Sequence, residues 1–136
     1  MKLLPTLVAL AATGLLAGNC LAMTRAEVQA ESHRIAVEYN EAQKACEPLH
    51  GHEELVCQRE AKARQKIAKA ELLARRKPTA QNWLSARMAH VNADYDVAKE
   101  KCAMKTGRDK TACRKEARAT YLEARAKARS APPAAN

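Results

Sequence analysis

The sequence predicts an all-α fold of two tandem helix–loop–helix hairpins, each closed by its own disulfide, whose four helices form a bundle or an open stack. The first observation behind this prediction is a repeat, because Cys46 and Cys57 return 56 residues later as Cys102 and Cys113. The second is a helical spacing of apolar residues in each repeat. The third is a set of helix breakers between the paired cysteines.

The repeat extends beyond the cysteines. In the register that places residue n beside residue n+56, Tyr39 falls on Tyr95 and Gly51 falls on Gly107. Shared alanines would carry little weight in an alanine-rich chain. Two cysteines, a tyrosine and a glycine in one register indicate a tandem duplication.

The first helix of each hairpin is predicted to be amphipathic. Its apolar and small residues recur at steps of four and three, which is typical of a helix that packs against another helix. In chain order they are Val28, Ser32, Ile35, Tyr39, Ala42 and Cys46, then Leu84, Met88, Val91, Tyr95, Ala98 and Cys102. We expect the first and third helices, with Tyr39, Tyr95 and Trp83, to supply most of the buried surface.

Capping residues indicate where three helices begin. Thr24 and Glu27 have the spacing of a capping box. Thr79 is the expected N-cap of the third helix, and Asp109 that of the fourth.

Helix breakers separate the two cysteines of each pair. Pro48 cannot continue the helix that contains Cys46. Gly51 and Gly107 supply the backbone freedom that a turn needs. The chain is therefore expected to reverse direction between the cysteines.

The second helix of each hairpin is rich in alanine and is expected to run to about Arg76 or Arg129. Glu60 and Glu116 recur between the units. We expect each to lie early in this helix, near the positive end of the helix dipole, where a carboxylate is favourable.

The reversal favours the disulfides Cys46–Cys57 and Cys102–Cys113. On an unbroken helix, residues 11 apart lie about 16 Å apart along the axis, whereas a disulfide needs Cα atoms within about 7 Å. The alternative is Cys46–Cys113 with Cys57–Cys102, which would connect two unbroken antiparallel helices and resemble mitochondrial twin-cysteine hairpins. The glycine and proline between the cysteines depart from that pattern.

The N-terminal segment is predicted to be a cleavable export signal. Lys2 is followed by an apolar stretch too short to span a membrane, and small residues precede a cleavage site after Ala22. Lipidation at Cys20 is the alternative. The expected organisation is a signal peptide (1–22), hairpin 1 (23–78), hairpin 2 (79–130) and a disordered tail (131–136).

The processed chain would be basic and poor in aromatic residues. Without Lys2 it has 23 Lys and Arg residues against 15 Asp and Glu, a net charge of +8. It has four cysteines, an even number that favours two disulfides in an exported protein. It contains no Phe and one Trp, so stacking platforms for nucleic-acid bases are missing.

The motif Tyr39-x6-Cys46-x10-Cys57, followed by Gln-Arg-Glu-Ala-Lys-Ala, resembles a family of small exported helical-repeat proteins of proteobacteria. The second unit repeats the motif at Tyr95, Cys102 and Cys113. The resemblance covers most of the processed chain and implies a periplasmic location. It carries over no functional residue, because the motif rests on cysteine spacing and contains no catalytic group.

No catalytic arrangement is visible, so we expect a protein that is not an enzyme and needs no cofactor. The cysteines are expected to be structural, because thioredoxin-like redox sites have only two residues between their cysteines, whereas ten separate the cysteines of each pair here. His50 and His52, with the thiols of Cys46 and Cys57, have ligand types that suit zinc or copper. A metal site is kept as an alternative, although a disulfide would remove two of its ligands.

The basic residues are the candidate binding surface, and anionic envelope components or an acidic protein are the expected partners. The envelope candidates are lipopolysaccharide, anionic lipid and acidic cell-wall polymers. A small periplasmic chaperone or stress factor is the alternative function. The candidate anion-binding residues are Arg59, Lys62, Arg64, Lys66, Lys69, Arg114, Lys115, Arg118 and Arg125.

Overall fold

A computed structural model describes residues 23–132 as four helices joined by short turns, which confirms the predicted all-α fold. In chain order the helices are α1 (Arg25–Cys46), α2 (Gly51–Arg76), α3 (Ala80–Ala103) and α4 (Gly107–Ser130). The predicted signal peptide, its cleavage site, Cys20 and residues 133–136 of the predicted tail lie outside the described residues.

The four helices form an open row. Within residues 23–132, α1 packs on α2, α2 on α3, and α3 on α4, while helices that are not neighbours in the chain make no contact. Because the turns are short, consecutive helices run antiparallel. Of the two predicted arrangements, the structure therefore has the open stack. The row is one helix thick and has two broad faces.

Both predicted disulfides are present. Cys46 is bonded to Cys57 and Cys102 to Cys113, and the Cα atoms of each pair are 5.6 Å apart. Cys46 and Cys102 are nearly inaccessible, with 1% of each residue exposed. Each disulfide joins the two helices of one hairpin beside the turn, and the alternative pairing between the hairpins is wrong.

The turns within the hairpins depend on the predicted glycines. Gly51 and Gly107 are the first residues of α2 and α4, and their φ angles are +62° and +52°. L-residues with a side chain rarely adopt such angles. The glycines thus allow the chain to turn and enter the second helix at once.

Two predicted N-caps are confirmed. The Thr24 hydroxyl accepts a hydrogen bond from the backbone N–H of Glu27, whose carboxylate accepts one from the backbone N–H of Thr24. The Thr79 hydroxyl accepts from the backbone N–H of Asn82.

The predicted N-cap of α4 is wrong. The cap is Thr106, because the helix already begins at Gly107. Asp109 lies instead in the first turn of α4, where its charge still faces the positive end of the helix dipole.

Within residues 23–132, the first and third helices supply six of the eleven buried core residues, in line with the expectation, and these include Ile35, Cys46 and Cys102, the largest fully buried side chains. By single helix, the middle helices α2 and α3 contribute four buried residues each, whereas α1 contributes two and α4 one. The reason is position, since α2 and α3 have a neighbour on both sides. Tyr39, Tyr95 and Trp83 are only half-buried.

The joint between the hairpins combines small apolar residues with ion pairs. Ala63 and Ile67 of α2 face Val97 and Ala98 of α3 along a shared groove. Polar contacts between α2 and α3 surround this apolar contact. The ion pairs are Lys101–Glu60 at 2.7 Å, Arg59–Glu100 at 3.8 Å and Lys66–Asp96 at 3.8 Å, and His90 is hydrogen-bonded to Glu71 at 2.7 Å.

Candidate functional site

Three of the predicted anion-binding residues form a stripe along α2. Lys62, Lys66 and Lys69 are spaced by four and three residues, which places them on one side of a helix. Arg76, seven residues after Lys69, continues the stripe. All four side chains are exposed, and Lys66 additionally lies 3.8 Å from the Asp96 carboxylate of α3.

A matching stripe runs along α4. Because an α-helix turns by about 100° per residue, four arginines of α4 fall within about 60° of one another around the helix. They are Arg114, Arg118, Arg125 and Arg129. Arg118 and Arg125 are the repeat counterparts of Lys62 and Lys69. Arg125 is half-buried and the other three are exposed.

The two stripes lie on the same face of the row, which we call the basic face. Arg64 and its repeat counterpart Thr120 lie on the opposite sides of α2 and α4, where both line grooves. Neither stripe contains a carboxylate. Between the stripes, α3 contributes Asp96, which lies 2.8 Å from Lys99 as well as near Lys66. The hydrogen bond from Lys99 lowers the pKa of Asp96, and the charge of Lys66 adds to the effect.

Exposed leucines accompany the basic residues. Leu55 and Leu73 on α2 and Leu122 on α4 are 45–47% exposed, and helical spacing places each within its stripe. Sequence reasoning had missed these leucines. The signal was available, because Leu55 and Lys62 are seven residues apart and Leu122 lies four after Arg118.

Three of the nine predicted residues lie outside the two stripes, although the charge of Arg59 reaches Asp96 on the basic face and also contributes to lowering its pKa. Arg59 lies at the joint between the hairpins, 3.8 Å from the Glu100 carboxylate. Lys115 is on the outer edge of α4. Arg64 is on the opposite face. The structure therefore brings together six of the predicted residues and separates three.

The opposite face carries three grooves, and we call it the grooved face. The first groove lies between α1 and α2, the middle groove between α2 and α3, and the second groove between α3 and α4. Arg64 lines both the first and the middle groove, while Asp94, Ala98 and Lys101 line both the middle and the second. The grooves are therefore continuous across the row.

Glu60 and Glu116 do not lie near the start of a helix, which corrects that expectation. Each is the tenth residue of its helix, because α2 and α4 begin at Gly51 and Gly107. The favourable effect of the dipole is confined to the first turn. Glu60 instead binds Lys101 of α3 at 2.7 Å, and Glu116 lines the second groove.

The histidines and cysteines of the first turn do not form a metal centre. The sulfurs of Cys46 and Cys57 are bonded to each other, so neither is a thiolate that could bind a metal ion. His52 lies in the first turn of α2, with its Nδ1 4.0 Å from Glu100. No group of three or more His, Cys, Asp or Glu residues within 23–132 is arranged to hold a metal ion.

Comparison of the chain with protein-family models, with curated proteins and with solved structures finds no match. The site must therefore be interpreted from its own chemistry. None of the helices within residues 23–132 has both the length and the apolar character that crossing a bilayer requires.

Proposed function

We propose that this is a non-enzymatic envelope protein whose basic face binds anionic lipid surfaces. The observation that carries the proposal is the basic face itself, where stripes on α2 and α4 contain basic residues and exposed leucines but no carboxylate. Phosphate groups of lipid headgroups are the chemistry that such a face suits.

The geometry favours a flat partner. Neighbouring helices pack about 8–10 Å apart, so the stripes of α2 and α4 run roughly 16–20 Å apart with α3 between them. Two separated rows of positive charge can contact many headgroups at once. Each basic residue near an anionic membrane contributes about 1 kcal/mol at moderate salt.

The leucines distinguish a lipid surface from a dissolved polyanion. Leu73 lies between Lys69 and Arg76 along α2, and Leu122 lies between Arg118 and Arg125 along α4. Helices that lie on membranes combine a basic face with apolar residues that enter the boundary between headgroups and acyl chains. Burial of Leu73 and Leu122 there would add a contribution that salt does not screen.

The proposed location is the periplasm, reached by cleavage of the signal peptide at residues 1–22. The two disulfides support an oxidising compartment, and the export pattern of the N-terminus supports the route.

The proposal is tested by sedimentation with vesicles that contain phosphatidylglycerol, over a series of salt concentrations. We expect binding that weakens steeply with salt and is absent with vesicles of phosphatidylcholine alone. The test variant replaces Lys62, Lys69, Arg118 and Arg125 by Gln. Losing four basic contacts should weaken binding by about two to three orders of magnitude.

The matched control removes the same number of charges from positions off the basic face. It replaces Lys44, Arg64, Lys115 and Lys127 by Gln, none of which has a salt bridge among residues 23–132. This control should bind nearly as well as the parent. Equal losses in the two variants would show that only net charge matters, and the proposal would then be wrong.

A further inference from the structure

The second groove is the more open of two related grooves on the grooved face. Its volume is about 320 Å³, against about 170 Å³ for the first groove. Each of the eight residues that line the first groove has its counterpart, 56 residues later, among those that line the second. The groove is thus a duplicated feature that has diverged between the hairpins.

The divergence is concentrated at two positions. Arg64 of the first groove corresponds to Thr120 of the second, and Gln65 corresponds to Tyr121. The shorter threonine leaves space that an arginine side chain takes up. Tyr121 stacks on Tyr95, with ring centroids 4.5 Å apart, so the second groove also gains an aromatic wall.

Charge in the second groove favours a cation. Asp94 and Glu116 line it, both are exposed, and neither forms a salt bridge within residues 23–132. Lys101 also lines the groove, but its ammonium lies 2.7 Å from the Glu60 carboxylate, which compensates its charge. Among residues 23–132, neither Asp94 nor Glu116 thus has a cationic side chain within 4 Å of its carboxylate, and both remain available to a cationic ligand.

The shape of the second groove favours a linear ligand. Its lining runs from Val91 to Cys102 on α3 and from Cys113 to Ala124 on α4, a length of about 16 Å on each helix. The groove lies between two helices that pack about 8–10 Å apart, and its volume of about 320 Å³ is spread along that length. A single linear hydrocarbon chain suits this shape.

We propose that the second groove binds a cationic amphiphile with one linear hydrocarbon chain. The chain would lie along the alanines and the tyrosine pair, and the cationic head would lie beside Asp94 and Thr120. Asp94 and Thr120 are at nearly the same distance from the disulfide along their helices, so they face each other across the groove. The head would take the space that Arg64 takes in the first groove.

This site is independent of the basic face, because it uses the opposite side of the row and the opposite charge. Binding of an amphiphile here and binding of anionic lipid there can therefore fail separately. The variant without Lys62, Lys69, Arg118 and Arg125 should keep the amphiphile site intact.

The test uses decyltrimethylammonium below its micelle-forming concentration, with calorimetry for stoichiometry and NMR for the ring protons of Tyr95 and Tyr121. We expect one molecule per chain and shifts of both tyrosines. Thr120→Arg should fill the groove and weaken binding by roughly tenfold or more, the scale of one lost contact. Asp94→Asn combined with Glu116→Gln should weaken it by about as much, because charge-assisted contacts are lost.

The matched control is Ala119→Arg, which adds the same side chain one residue away, on the outer side of α4. Ala119 and Thr120 are both exposed, so both variants should fold, which circular dichroism checks. Ala119→Arg should bind like the parent. Undiminished binding by Thr120→Arg, or binding of decanoate as tight as that of the cation, would overturn the proposal.

Discussion

Single residues determine where the chain reverses within each hairpin. Gly51 and Gly107 have positive φ angles, and apart from the adjoining residues and the local helix backbone no atom lies within 4 Å of the position that a Cβ would occupy at either one. Space is therefore available for a side chain, and only the backbone conformation resists it. This separates the conformational contribution of glycine from any packing contribution.

We predict that Gly51→Ala or Gly107→Ala lowers the free energy of unfolding by about 1–2 kcal/mol, the cost of a left-handed conformation for an L-residue. Asn at the same position should cost less, because its side chain tolerates this region. Urea unfolding measures both effects. Stability equal to the parent in the alanine variants would contradict the role assigned to these glycines.

Glu31 joins α1 to α2 through charge. Its carboxylate accepts hydrogen bonds from Arg34 of its own helix and from Arg75 of α2, the latter at 2.9 Å. The bonds from Arg34, together with the one from Arg75, lower the pKa of Glu31 from 4.5 to about 2. Because the folded state holds the ionised form, this stabilisation is complete above the unfolded pKa of 4.5 and is lost as pH falls towards 2.

We therefore predict that the parent loses more stability than Glu31→Gln does between pH 4.5 and pH 2. Thermal unfolding across this range measures the difference. Glu41→Gln, which removes an exposed carboxylate from the same helix, is the control and should behave like the parent. Parallel pH profiles for Glu31→Gln and the parent would exclude the proposed linkage.

At the scale of elements, each disulfide joins the two helices of one hairpin, which otherwise bury little surface against each other. Each bond closes a short loop across its turn and constrains the unfolded chain. We predict that replacing both Cys46 and Cys57 by Ala destabilises hairpin 1 by about 3 kcal/mol. Hydrogen exchange should show faster opening in α1 than in α4, and unchanged protection of α1 would contradict this.

Local signals in the sequence predicted the disulfides and most helix ends, because each depends on a few neighbouring residues. The capping box at Thr24 and the glycine turns are examples, but the N-cap of α4 was expected at Asp109 instead of Thr106. The large share of α2 in the core could not be predicted, because it depends on α2 having a neighbour on both sides in the row. Ile35 of the α1 stripe is buried as predicted, whereas Tyr39 of the same stripe is only half-buried.

The candidate anion-binding residues show the same difference between local features, which the sequence predicts, and features that depend on the arrangement of the helices. Counting basic residues indicated α2 and α4 as the helices of the candidate surface, but it could not assign each side chain to a face. Arg64 and Lys66 are two residues apart, yet they lie on opposite sides of α2. The grooved face was not predicted, because it appears only when α1 to α4 are set side by side.

At the scale of the whole molecule, the two ends of the row differ from its middle. In the repeat α4 is equivalent to α2, so the outer side of α4 is equivalent to the side of α2 that packs on α3. Likewise α1 is equivalent to α3, so the outer side of α1 is equivalent to the side of α3 that packs on α2. Ile67 and Val97 at the middle joint are replaced at the ends by Glu123 and Glu41. Polar outer faces of this kind end a stack of repeats.

We therefore predict that the protein sediments as a monomer, because joining two copies end to end would bring Glu123 and Glu41 together. Glu41→Val combined with Glu123→Ile should restore the apolar contact and promote association. Sedimentation velocity distinguishes these outcomes. Association of the parent, undiminished by mild salt, would show that the ends are not capped.

The two broad faces divide the chemistry of the molecule. One presents lysines, arginines and leucines, and the other presents grooves with carboxylates at their rims. This separation follows from the repeat, because residues 56 apart occupy the same side of equivalent helices. The two stripes thus bring eight of the Lys and Arg residues to one side of the row.

The basic face is tested most directly by mapping lysine reactivity with an acetylating reagent, with and without phosphatidylglycerol vesicles. Protection of Lys62 and Lys69, with Lys44 and Lys127 still reactive, is the result expected if the basic face contacts the lipid. Equal protection of all four lysines, or protection of Lys44 and Lys127 alone, would contradict it.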